Sequence, residues 1–384
     1  MGYLDSYRSP WMTAELELLA QTARRFFEEH VTPRDAEFRK NHEIDREVWR
    51  TAGRLGLVGM SIPEALGGHG GTFAHEAVVI QEQAWQCNTS FGFVPGALNA
   101  PAVFTRIASP EQAREWTPKI VAGECITAFA LTEPGMGSDM KALRTRAVRQ
   151  GDTYVINGAK TFITHGKQAD LCMLAARTSD EPREGISLFL VDTRNSPGFK
   201  VQKVLEKIGQ NGLDTCEIFI DNLEVPAANL AGGEEGNGFT KLTDVFRAER
   251  LSIAVAAVGS AEKAVDLAVR HSRDRKMFGQ TLWDFQNTRM KLAECATEAR
   301  AARMMVDAFI LKELDGTLTM QDAAMAKWWC SQKQVEIVDT CLQLFGGYGY
   351  MAEYPIAQLY MDARIQTIYG GANEVLKELV ARGL

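Results

Sequence analysis

Gln150-Gly151-Asp152-Thr153-Tyr154-Val155-Ile156-Asn157-Gly158-Ala159-Lys160-Thr161-Phe162-Ile163-Thr164 decides how this chain is built. Two runs rich in β-branched and aromatic residues, 153–157 and 161–164, flank Asn157-Gly158. That dipeptide tolerates positive φ and is the strongest short hairpin signal a sequence carries. Gly151-Asp152 closes the preceding run, 143–149, in the same manner. Further β-forming runs lie at 125–132, 171–176, 186–192 and 215–220. Short strands at such close spacing predict an antiparallel, barrel-like β domain over 125–237.

On both sides the pattern is helical. Upstream, Leu16, Leu19, Ala20, Ala23 and Phe27 keep one face of 14–40 apolar, and Pro33 bends or restarts the helix. Helices are also expected at 46–55, 73–86 and 110–122, which makes 1–124 an N-terminal α-helical domain. Pro63 with Gly67, Gly68, Gly70 and Gly71 reads as a tight turn, because GxGxxG is absent and no strand precedes it. Downstream, 239–273, 283–313, 319–345 and 353–366 read as helices, with a short one after Gly371. They predict a C-terminal four-helix bundle over 238–384. Helices and strands segregated in this way give an α+β multidomain chain, so a Rossmann cofactor site is not expected.

A length of 384 residues suffices for two or three sizeable cores, and 46% hydrophobic with 24% charged residues is ordinary for a globular protein. A net charge of -7 leaves no basic footprint for nucleic acid. Cysteines at 87, 125, 172, 216, 295, 330 and 341 form no CxxC pair, which points to a reducing, cytoplasmic compartment. The six His include no HExxH, so no metal site is expected. No apolar run is long enough to span a membrane, and the first eleven residues lack the regions of a signal peptide. Met1-Gly2 with Ser6 matches the myristoylation pattern only nominally.

Within 239–273, apolar Leu242, Val245, Phe246, Ile253, Ala256 and Val258 recur every three to four residues. Glu249 falls three after Phe246 and four before Ile253, so it lies on or beside this stripe. A carboxylate there is either paired, with Arg247, Arg250 or a distant Lys, or has a raised pKa and serves as a base.

Five ordered motifs then resemble the acyl-CoA dehydrogenase family across essentially the whole chain. They are Leu131-Thr132-Glu133-Pro134-Gly135-Met136-Gly137-Ser138-Asp139, then 157–164 of the opening stretch, then Arg275-Lys276-Met277-Phe278-Gly279 with Phe285-Gln286. Gln343-Leu344-Phe345-Gly346-Gly347-Tyr348-Gly349-Tyr350 and Arg364-Ile365-Gln366-Thr367-Ile368-Tyr369-Gly370-Gly371 complete the set. The resemblance implies an FAD enzyme that removes the α-proton of an acyl-CoA thioester while the β-hydrogen leaves as hydride to flavin N5. It implies cofactor contacts from Phe129, Leu131, Thr132, Gly137, Ser138, Phe162, Thr164, Arg275, Phe278, Gln286, Gln343, Gly347, Ala372 and Glu374. Thr132, Ser138 and Thr164 would supply hydroxyls to the ring, and Arg275 would reach the pyrophosphate of a neighbouring subunit's FAD. Ser138, Arg250, Tyr369 and Gly370 are the implied substrate contacts.

Three positions depart from the family's common pattern. Phe162 stands where Trp is usual and keeps the stacking face. Ala372 replaces a Thr and removes one cofactor hydroxyl. Gly370 stands where the catalytic Glu is common and cannot take a proton; the long-chain and isovaleryl branches place the base in a Glu-Arg pair that Glu249-Arg250 matches. Gly370 still has a backbone N–H to polarise the thioester carbonyl. The resemblance, closest to the long-chain branch, further implies electron-transferring flavoprotein as acceptor and a homo-oligomer with tetrameric habit. An oxygen-using acyl-CoA or nitroalkane oxidase, a silent FAD-binding protein and a dehydrogenase of acyl-carrier-protein thioesters are the competing readings. Phe91, Phe93 and Leu98 are candidates for the tail pocket or for ordinary core packing.

Overall fold

The computed structural model describes residues 7–384; the side chains of Phe93, Ala97 and Asp244 lie outside that description, as does the Met1-Gly2 pattern with Ser6. Helix α1 (Ala14–Phe26) starts at Thr13, whose hydroxyl accepts the Leu16 N–H at 3.3 Å. A π-helical turn and a 3₁₀ turn carrying Pro33 connect it to α2 (Asp35–Asn41), so the proline restarts the helix. Then come α3 (Arg46–Arg54), α4 (Phe73–Trp85), α5 (Ala100–Ile107) and α6 (Pro110–Val121). No helix is expected over 93–107, where Pro95, Gly96 and Pro101 interrupt the pattern. The chain nevertheless makes a π-helical segment, Phe93–Asn99, that runs into α5 with Pro101 just past the junction.

The central block is one curled seven-stranded sheet: β1 (Thr127–Ala130), β2 (Arg146–Gln150), β3 (Thr153–Thr164), β4 (Leu171–Arg177), β5 (Ile186–Asp192), β6 (Phe199–Val204) and β7 (Thr215–Pro226). The order is β1-β4-β2-β3-β7-β6, with β5 along the other edge of β4. Most pairings are antiparallel; those of β4 with β1 and β2 are parallel. The hairpin expected at Asn157-Gly158 is not formed. Strand β3 runs straight through it with a register shift against β7, and the turn lies at Gly151-Asp152, where Gly151 has φ 63°. Gly158 is there for proximity: a Cβ on it would sit 2.4 Å from Thr145 Oγ1.

Strands β4 and β5 read as continuous apolar runs because both their faces are covered. Leu171, Met173 and Ala175 enter a core shared with N- and C-terminal helices, whereas Cys172, Leu174 and Ala176 enter the core inside the sheet. The helical block that follows comprises α7 (Gly238–Asp274), a short hairpin of β8 (Lys276–Met277) and β9 (Gln280–Thr281), α8 (Gln286–Leu314), α9 (Met320–Phe345), α10 (Pro355–Ala363) and α11 (Asn373–Ala381). Helices α7, α8, α9 and α10 make the expected four-helix set, α11 packs on α9, and α4 lies against α7. Among the described residues no helix is long and apolar enough to cross a membrane.

Candidate active site

The stripe on α7 forms as its spacing predicts, with Leu242, Val245, Ile253 and Val258 buried. Glu249 sits in it, deep among protein atoms yet still open to solvent on one side. Each cation that could neutralise it is engaged elsewhere. Arg247 pairs with Glu313 on α8 (Nε to Oε2, 3.2 Å). Arg250 turns its Nε to the Gly370 carbonyl at 3.4 Å. Lys327, on α9 and fully buried, donates to the Gly371 carbonyl at 2.7 Å and to Asn373 Oδ1 at 3.1 Å. Among the described residues no cation lies within 4.0 Å of the Glu249 carboxylate, so the ion-pair alternative is not realised. Burial pushes its pKa up, and the nearby charges of Arg250 and Lys327 offset this only in part.

Facing Glu249 is the loop Tyr369-Gly370-Gly371. Gly370 and Gly371 have φ of 63° and 96°, conformations that glycine adopts without strain. A Cβ at 370 would lie 2.3 Å from Ile253 Cδ1, one turn beyond Glu249, so a carboxylate at 370 would have to displace Ile253. The Gly370 N–H has no partner among the described residues and is free to donate. Half-buried Tyr369, its phenol pushed up to about 12 by the protein atoms around it, donates to Gln366 Oε1 at 3.1 Å. Ala372 caps α11 and Glu374 is exposed in its first turn.

Lys327 was not anticipated. Its signal was of the same kind as that of Glu249: a charge in an apolar stripe, here with Ala323, Ala324 and Cys330. Burial draws its pKa down to about 7. Ser331 also donates to Asn373 Oδ1 at 3.2 Å, so α9 holds the start of α11 and the glycine loop together.

The first two motifs converge through a buried pair. Lys160 Nζ, on β3, binds Glu133 Oε1 at 2.9 Å and the Leu131 carbonyl at 3.0 Å. The two oxygens of Glu133 also accept the Arg144 and Thr145 N–H groups at 2.7 and 2.9 Å. These bonds hold Glu133 below the ordinary carboxylate range despite its burial, while burial draws Lys160 to about 8. The Thr161 N–H donates to the Thr132 carbonyl at 3.0 Å, bringing Thr132 beside the second motif. At the irregularity between Lys160 and Ile163, Phe162 takes φ 59° and stands 66% exposed, while Thr164 is half-buried. Gly137 and Ser138 are exposed at the tip of the first motif, and Phe129 and Leu131 pack partly against the helical core.

Arg275, Gln343 and Gly347 meet at an open groove of about 560 Å³, floored by Phe345 and Tyr348. The Arg275 guanidinium lies 5.8 Å from the Tyr348 ring centre, and no carboxylate among the described residues pairs with it. Phe278 stands 89% exposed beside it in the β8–β9 turn, and Gln286 is exposed at the start of α8. This groove is not brought to Glu249: 25 residues of α7 separate Glu249 from Asp274, about 37 Å at ~1.5 Å per residue. Of the tail-pocket candidates, Phe91 is core, its ring 4.8 Å from Trp49 and 5.1 Å from Phe26; Leu98 is buried, and Phe93 lies outside the described side chains.

Sequence comparison matches residues 13–124, 128–223 and 236–384 to the N-terminal, middle and C-terminal domains of acyl-CoA dehydrogenase. The chain belongs to the acyl-CoA dehydrogenase family, whose members are FAD-dependent oxidoreductases. It is 41% identical to the long-chain specific acyl-CoA dehydrogenase of pig (Sus scrofa) mitochondria over 96% of this chain and 86% of that protein. Its fold superposes on acyl-CoA dehydrogenase from Geobacillus kaustophilus with a TM-score of 0.93 at 36% identity, covering 98% and 99% of the two chains. A structure described as the electron transferring flavoprotein of Acidaminococcus fermentans matches with a TM-score of 0.91 at 32% identity, covering 98% and 99%.

The residues present fit FAD. A Cβ on Gly137 or Gly347 would meet nothing within 4 Å, so both backbones are open to close approach. Phe162 offers an exposed ring face and Arg275 an unpaired fork for a pyrophosphate.

Proposed function

We propose that the chain catalyses FAD-dependent α,β-dehydrogenation of an acyl-CoA thioester to the trans-2-enoyl-CoA, with Glu249 as the base. The observation that carries this reading is an embedded carboxylate with no cation on it, facing a glycine loop with an unused backbone N–H. Glu249 accepts the α-proton, and its raised pKa brings it closer to the proton it must take. The Gly370 N–H donates to the thioester carbonyl as charge builds there. Arg250, fixed at the Gly370 carbonyl, is placed to meet the coenzyme A portion, with Ser138 and Tyr369 completing the contacts. Bound FAD supplies the acceptor for the β-hydride.

The long-chain name of the pig relative supports a long acyl group, and the Acidaminococcus match supports electron-transferring flavoprotein as acceptor. The separation of about 37 Å along α7 between the two proposed half-sites supports a homo-oligomer, read as a tetramer, in which Arg275, Phe278 and Gln343 serve a neighbour's FAD. Exposed Met290, Met304, Tyr348 and Tyr350 are apolar surface for that contact. Seven free cysteines, six of them buried, support a reducing compartment, read as the cytoplasm. Anaerobic titration of the FAD-loaded protein with acyl-CoAs from four to eighteen carbons tests the reading. Flavin bleaching with a long-chain optimum is expected; no bleaching with any thioester would overturn it.

A further inference from the structure

A second, smaller and partly open cavity of about 40 Å³ lies between α4, α7, α9 and α10. Its walls include the apolar Ile80 and Leu359, but also Gln83, Asn88 and Gln334. Each of these three is more than nine-tenths buried. Gln83 Nε2, Asn88 Oδ1 and Gln334 Oε1 each lack a hydrogen-bond partner. Buried polar atoms are ordinarily satisfied, so one donor and two acceptors left bare around one small space indicate a polar occupant. Its volume of about 40 Å³ admits about three or four water-sized groups, at roughly 10–15 Å³ each.

The cavity lies along the face of α7 that carries Glu249. Glu249, Ile253, Ala256 and Ser260 follow one another at spacings of four, three and four, and the last two line the cavity. Ala256 and Ser260 are about 10 and 16 Å from the level of Glu249 at ~1.5 Å per residue. The zigzag of ~1.5 Å C–C bonds covers that distance with about eight to thirteen bonds. Gln366, which accepts the Tyr369 hydroxyl, joins the cavity wall to the loop at the reacting end.

The charges exclude an anionic occupant. Asp362 lines the cavity, and Arg39 is taken up by Asp35 and Asp362. Lys263 is taken up by Asp266. The Cys87 thiol is pushed up to about 12 by burial and stays neutral. What fits amide donors and acceptors together is a neutral group that both donates and accepts. We infer that this cavity binds the hydroxyl of an ω-hydroxylated long acyl chain, held by Gln83, Asn88 and Gln334, so that ω-hydroxyacyl-CoAs are a substrate class of this enzyme. The inference rests on the dehydrogenase reading above.

The test compares the second-order rate constant of flavin reduction in the FAD-loaded enzyme, read from anaerobic bleaching over a range of substrate concentrations, for dodecanoyl-CoA against ω-hydroxydodecanoyl-CoA and for the matching tetradecanoyl pair. An apolar pocket would disfavour the hydroxyl by about a hundredfold. The expected ratio of hydroxylated to plain chain is one or more for at least one pair, and Gln83→Leu with Gln334→Leu should lower it tenfold or more. A ratio below one for both pairs in the wild-type enzyme would overturn the inference, whatever the variant does. An unchanged ratio in a folded variant would also overturn it. Bleaching by neither kind of chain would instead overturn the dehydrogenase reading itself.

Discussion

The chemistry at Glu249 is a matter of one residue and what its neighbours decline to do. Arg247, Arg250 and Lys327 are each bonded elsewhere, so the carboxylate stays basic without being neutralised. Glu249→Gln is expected to keep FAD and lose the rate of flavin bleaching by about 10²–10⁴, the usual worth of a positioned base. A loss under tenfold would contradict the assignment. With Glu249 as the proposed base the reacting form is its carboxylate, so bleaching should slow as pH falls, with a midpoint above the ordinary carboxylate value of 4.5. The charge on Lys327 lowers that midpoint, so Lys327→Met should move it upward in a pH profile of the bleaching rate. The stripe that exposes Glu249 to notice is a one-dimensional pattern and can be read from spacing. That Arg250 turns to Gly370, 120 residues away, cannot, because only the packing of α7 on the C-terminal loop decides it.

Strand β3 shows where local signals lose to their surroundings. Asn157-Gly158 favours a turn in isolation, yet pairing with both β2 and β7 holds it extended, and Gly158 is used for its missing side chain. Gly158→Ala should cost about 1–3 kcal/mol by overpacking against Thr145, read as a lower denaturant midpoint. An unchanged midpoint would show that the strand gives way. The Lys160–Glu133 pair joins two motifs that the sequence presents as separate, and its reach of 27 residues hides it from any periodicity. Lys160→Met would leave Glu133 buried without its cation and should destabilise by about 3–5 kcal/mol in urea unfolding. The helical elements were more legible, since α7 and α9 keep an apolar face for their whole length and long repetition outweighs local noise.

At the scale of the whole molecule, the proposed function divides the site into two halves that lie far apart on one chain. The Glu249 end carries the proposed base and carbonyl donor; the Arg275 groove, about 37 Å along α7, carries an unpaired guanidinium over an aromatic floor. Arg275→Ala should therefore weaken FAD retention and assembly together, read by absorbance at the flavin band and by sedimentation. The most direct test mixes two defective chains. Glu249→Gln and Arg275→Ala chains, each inactive alone, are unfolded together, refolded with FAD and assayed by anaerobic bleaching. If the base of one chain works beside the arginine of another, a mixed pair holds one intact site and one doubly defective site, and recovers about half the wild-type activity per pair. If the refolded mixture shows no more activity than the two chains refolded apart, the shared site is contradicted.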